Sequence, residues 1–122
     1  MPDCIELRGL RLVGLVGVLP EEHQRPQPLE VDLDVVLDLA RAGISDDLVD
    51  TVDYGAVCVL VDEVVGAGHV ALLEHLAELI AGRVLADTRV DAVTVAVRKL
   101  RPPVPQQLAT SGVRITRSRE RP

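Results

Sequence analysis

Lys99 is the single lysine of a chain that carries twelve arginines. Arginine stays charged and is a poor proton shuttle, whereas a partly desolvated lysine can be tuned toward neutrality. Lys99 follows Val93, Val95 and Val97 at a spacing of two, at the end of an apolar strand face. Two readings stay open there: a proton-transfer group, or a side chain that snorkels from the sheet edge into water. Tyr54 is the only aromatic residue. Its phenol could donate and recover a proton, or simply pack with a wet hydroxyl. Glu74 falls opposite an apolar helical stripe, where the dipole of a helix start favours a carboxylate. On its own helix it is a solvated acid, useful as a ligand only if another chain covers it. Glu22 follows Glu21 and Pro20 in a turn and reads by itself as a surface acid.

Other chemistries lack their residues. There is no phosphate-cradling G-x-x-x-x-G-K-[ST] and no G-x-G-x-x-G. His23, His69 and His75 lack paired metal spacing, and no Ser-His-Asp or Cys-His pairing announces itself. Cys4 and Cys58 sit in apolar surroundings without metal spacing, which predicts free thiols in a reducing compartment.

The elements that would position these residues are read from periodicity. Leu29, Val31, Leu33, Val35, Leu37 and Leu39 alternate with a mostly acidic face, the pattern of a half-buried strand. The first strand changes phase between Ile5/Leu7 and Leu10/Leu12, with Gly9 placed to absorb a bulge. Asp3 to Val18 and Pro28 to Leu39 thus form an antiparallel pair. Ala40 to Val52 reads as a polar connection. Val57, Leu60, Val61, Val64 and Val65 recur at helical spacing until Gly66 and Gly68. A second helix spans about Val70 to Leu85, with a stripe of Leu72, Leu73, Leu76, Leu79 and Ile80. Strand returns over Val90 to Lys99. Pro102, Pro103 and Pro105 forbid regular pairing, and Gly112 to Thr116 forms a last short strand. The order strand, strand, helix, helix, strand, strand predicts an α+β fold, a four-stranded antiparallel sheet with two helices on one face.

At 122 residues the chain is one domain, 1–122, with 117–122 as a loose tail. It can bury roughly two thirds of its surface. A net charge of −6 argues against a general nucleic-acid binder. Seven basic residues from Arg98 onward face only Glu120, which reads as a solvated strand and tail or as an acidic-substrate site. No apolar run of about 20 residues is present, and the N-terminus is unlike a secretory signal. A cytoplasmic location is expected.

Six stretches carry a resemblance: I-E-L-R-G-L at Ile5 to Leu10, G-V-L-P-E-E at Gly17 to Glu22, and V-D-L-D-V-V-L-D-L at Val31 to Leu39. S-D-D-L-V-D-T-V-D-Y at Ser45 to Tyr54, L-L-E-H-L-A at Leu72 to Ala77, and R-K-L-R-P-P-V-P-Q at Arg98 to Gln106 complete it. In this order and spacing they resemble dihydroneopterin aldolases over nearly the whole chain. One departure is Val16, where many relatives carry a histidine. The resemblance implies the tunnelling fold and retro-aldol cleavage of 7,8-dihydroneopterin in folate biosynthesis. The products would be 6-hydroxymethyl-7,8-dihydropterin and glycolaldehyde, with no metal, organic cofactor or Schiff base.

The resemblance also implies roles. Glu74 would clamp the pterin's amino group and adjacent ring N–H, with backbone groups around Val52 and Leu73 holding the rest of that edge. Lys99 would be the main acid/base group, Tyr54 would handle protons on the side chain and intermediate, and Glu22 would lie beside the lysine. With no other aromatic residue, leucine and valine would line the pterin's faces. The assembly would be a homo-octamer of two tetrameric rings with shared sites. Val52, Tyr54, Leu73 and Glu74 would come from one chain, Glu22 and Lys99 from the next. Competing readings are a dihydropterin epimerase or oxygenase, and a non-catalytic pterin- or purine-binding module.

Overall fold

A computed structural model describes residues 2–119. Its sheet has four antiparallel strands in the order β1-β2-β3-β4: Cys4–Gly14, Gln27–Val36, Ala92–Lys99 and Ser111–Ser118. The phase change in β1 is a bulge, with the register shifting between Leu7 and Leu10. Gly9 sits there at φ 71, and its N–H donates to Asp32 Oδ1 at 2.7 Å. β1 stops at Gly14, short of the expected Val18. Val16 instead forms a parallel bridge with Val70.

Two long helices cover one face. α2 (Tyr54–Gly66) starts at Asp53, whose side chain accepts from the N–H of Gly55 at 2.9 Å. α3 (Leu73–Leu85) packs on β3 and β4, and α2 on β1 and α3. The inward phase of the central strands is fully buried: Leu29, Val31, Leu33 and Val35 of β2, and Val93, Val95 and Val97 of β3. Val57, Val61, Val64 and Val65 of α2 belong to the same buried core.

The buried stripe of α3 keeps the expected Leu73, Leu76 and Ile80 and adds Ala77, Ala81 and Val84. Leu72 precedes the helix, and Leu72 and Leu79 are largely exposed. Size misled the expectation: Ala77 and Ala81 are fully buried. The polar connection contains a short helix, α1 (Ala40–Ser45), and a 3₁₀ turn at Leu48–Asp50 capped by Asp47.

The expected loose tail also needs correction. β4 runs through Ser118, and Arg119 donates to the carbonyls of Val90, Leu85 and Asp87. Residues 120–122 lie outside the described residues. The C-terminal basic residues are mostly engaged within the chain: Arg98 with Glu30 and Asp32, and Arg117 with Glu78. Both cysteines are free and half-buried. Among the described residues no helix is long and apolar enough to cross a membrane.

Candidate active site

Lys99 ends β3 opposite Leu29 of β2 and continues the buried phase of Val93, Val95 and Val97. Its side chain is only 12% exposed, so it does not snorkel into water. An ammonium held there needs a partner. Nζ donates to Glu22 Oε2 at 2.6 Å.

Glu22 reaches this position through a 3₁₀ turn, Pro20–His23. Its N–H donates to the carbonyl of Leu19 at 2.9 Å, and Oε1 accepts from the N–H of Leu19 at 3.3 Å. The residue is 4% exposed, unlike the surface acid its local sequence suggests. Burial alone would raise its carboxyl. Hydrogen bonds from Lys99, Gln27 and Leu19 outweigh that and hold it below the ordinary range.

Gln27 was not legible as a site residue. Its Nε2 donates to Glu22 Oε2 at 2.8 Å and to the carbonyl of Val16 at 2.7 Å. The signal that marks Lys99 would have found it. Gln27 continues the inward phase of β2 just beyond Leu29, as Lys99 does beyond Val97. A polar residue at the end of a buried phase is the common feature. Val16 itself is buried and reaches the network through its carbonyl.

Glu22 and Lys99 form part of an open cleft of about 380 Å³. Leu73 and Glu74 line it too, while Val18, Leu19, Leu72, Val104 and Leu108 add apolar wall. Glu74 is exposed and makes no hydrogen bond or ion pair among the described residues. It lies in the first turn of α3, where Leu72 supplies no side-chain cap. The first-turn N–H groups are therefore unclaimed by a cap. A free carboxylate beside free N–H groups suits a ligand edge that presents both donors and acceptors. The buried lysine–carboxylate pair suits proton transfer in the same cleft.

Val52 and Tyr54 do not line this cleft. Val52 is buried at the mouth of a separate depression beside α2 and α3, and Tyr54 is 64% exposed. Glu74 thus shares a cleft with Lys99 and Glu22 of its own chain. The expected division, with Glu74 and Leu73 on a different chain from Lys99, is overturned by this placement. That division came with the resemblance; in this chain the start of α3 and the end of β3 line one cleft.

A family model described as dihydroneopterin aldolase matches residues 5–116. The chain belongs to the dihydroneopterin aldolase family. A dihydroneopterin aldolase of Staphylococcus epidermidis is 39% identical over 121 residues, covering 98% of this chain and 100% of that protein. One of Bacillus subtilis is 37% identical over 118 residues, covering 96% and 98%. The structure of E. coli dihydroneopterin aldolase in complex with neopterin superposes with a TM-score of 0.87. It is 28% identical and covers 95% of this chain and 99% of that one. The sheet and helices are those of the tunnelling fold that the family shares.

Proposed function

We propose that this chain cleaves 7,8-dihydroneopterin in folate biosynthesis, with Lys99 moving protons, Glu22 holding the lysine in place and Glu74 holding the pterin. The carrying observation is the buried Lys99–Glu22 pair sharing one cleft with the unpaired Glu74, in a chain of this family. Glu74 accepts from the amino group and adjacent ring N–H of the pterin, and the N–H groups around Leu73 donate to its acceptors. This edge is worth fixing, since a buried donor left unpaired costs about 1–3 kcal/mol. Leucine and valine side chains take the ring faces.

The retro-aldol step removes the proton of the side-chain hydroxyl on the carbon of the scissile bond that lies farther from the ring. A carbonyl forms there, the carbon–carbon bond breaks, and its electron pair passes into the dihydropterin ring. Glycolaldehyde leaves and the ring-bound carbon takes up one proton. Lys99 is the group that accepts and returns protons, and Glu22 fixes its position and charge. Val52 and Tyr54 reach the cleft from a neighbouring copy, Tyr54 supplying its hydroxyl to the intermediate. The working form is a cytoplasmic homo-octamer of two tetrameric rings.

Incubation of purified protein with 7,8-dihydroneopterin and a chelator, with both carbon fragments quantified, tests this reading. Equal amounts of 6-hydroxymethyl-7,8-dihydropterin and glycolaldehyde are expected. An epimer or an oxidised pterin without glycolaldehyde would replace it with epimerase or oxygenase chemistry. Binding without turnover would make the chain a pterin-binding module.

A further inference from the structure

We propose that Gly17 is a positioning residue: by carrying no side chain, it leaves the space in which the Glu22 carboxylate meets Lys99. The proposal rests on the reading that this pair carries the chemistry. A Cβ on Gly17 would lie 2.1 Å from Cδ of Glu22, 2.2 Å from Oε1 and 2.5 Å from Oε2. Each distance is far inside van der Waals contact, so a side chain at this position evicts the carboxylate. Gly17 also has φ +151, a conformation that side chains disfavour.

Both sides of this contact are held. Oε2 of Glu22 receives Lys99 and Gln27, and Oε1 receives the N–H of Leu19. The N–H of Gly17 donates to the carbonyl of Val70 at 3.0 Å, and its own carbonyl bonds to His69 Nε2 at 2.8 Å. His69 also packs on His23, ring centroids 4.2 Å apart and planes tilted by 49°; His23 is the last residue of the turn that carries Glu22. The connection between α2 and α3 therefore presses Gly17 toward Glu22, while the ends of β2 and β3 hold the carboxylate from the other side. The displaced atoms are the end of a flexible side chain. They can swing aside without a backbone shift, and the pair with Lys99 breaks when they do.

Gly68 supplies the control. It lies in the same connection at φ +145, with nothing within 4 Å of an added Cβ. Gly17→Ala and Gly68→Ala share backbone strain, and only the first touches the carboxylate. The experiment compares both with wild type for kcat, KM, the pH–rate profile and the NMR titration of the Glu22 carboxyl. Gly17→Ala is expected to lose about ten-fold or more in kcat, with KM little changed because the Glu74 wall is untouched. Its Glu22 carboxyl is expected to leave the lowered range, while Gly68→Ala keeps wild-type kcat and titration. A Gly17→Ala protein with an unchanged Glu22 titration overturns the proposal, as does a kcat loss matched by Gly68→Ala. A moved titration with full turnover in both Gly17→Ala and Glu22→Gln would uphold the positioning and sink the catalytic reading beneath it. If Gly17→Ala fails to fold, adding Glu22→Ala is expected to restore folding to the Gly68→Ala level. No restoration overturns the proposal.

Discussion

Glu74, in the first turn of α3, and Lys99, the last residue of β3, stand on the walls of one cleft in one chain, and Tyr54 stands outside it. This placement predicts which inactive variants can repair each other. Lys99→Ala mixed with Glu74→Ala, dissociated and reassembled, is expected to show no more activity than the two variants kept apart, since every cleft keeps one lesion. Lys99→Ala mixed with Tyr54→Phe is expected to regain activity at about a quarter of the sites in random hetero-oligomers. Recovery in the first mixture, or none in a second mixture that demonstrably forms hetero-oligomers, would refute the shared site with Tyr54 from a neighbour.

Removal of the lysine reverses a pH dependence. In Lys99→Ala, Glu22 loses its charged partner, and burial is left to push its carboxyl upward. A carboxyl raised in the folded state costs stability as pH rises past its unfolded value. The variant is therefore expected to be weakest at neutral pH, by roughly 3–5 kcal/mol, and to recover toward pH 5. Wild type, whose Glu22 is lowered, gains stability over the same rise from acid pH. Denaturant titrations at several pH values compare the two slopes. Turnover in the folded variant is expected to fall about 100-fold or more, and near-normal turnover would remove Lys99 from the mechanism.

Binding and chemistry separate on Glu74 and Tyr54. Glu74→Ala chiefly weakens pterin binding, by a factor of about 10 to 100, the worth of a charge-assisted donor pair. Calorimetry with a pterin measures it. Tyr54→Phe keeps the ring and removes the exchangeable proton, so kcat or the product ratio changes more than affinity. Wild-type rates and products from Tyr54→Phe would show that the hydroxyl is dispensable.

The outer face of the sheet carries an acid-sensitive mesh. Arg98 hydrogen-bonds Glu30 and Asp32 and holds both carboxyls below their ordinary values of 4.5 and 3.8. Such lowered groups contribute stability above those values and lose it as pH falls through their folded values. Arg98→Gln is expected to destabilise at neutral pH and to converge with wild type near pH 3. Thermal melts at both pH values test this. A deficit that persists undiminished at pH 3 would point to lost packing instead.

The alternation of Leu29 to Leu37 made β2 legible, and the phase break at Gly9 made the bulge legible, because both follow from period two. The stripe of α3 was only partly legible because alanine carries little hydrophobic weight, although Ala77 and Ala81 are fully buried. For the site, Lys99 stood out by type and phase. Glu22 did not, since its burial comes from a turn folding back across a strand end seventy-seven residues away. His69 was missed for the same reason, since it meets Gly17 across fifty-two residues, whereas Gln27 was marked by its phase on β2 and overlooked.

The absence of phenylalanine and tryptophan gives the protein one useful ultraviolet chromophore, Tyr54. That ring lies at the surface and not in the core. Near-ultraviolet emission and dichroism are therefore insensitive to the packing of the sheet against α2 and α3. They respond instead to whatever settles over the start of α2. On the proposed arrangement that is the cleft of an adjacent copy, so the unlabelled protein carries its own optical gauge of assembly and of ligand arrival.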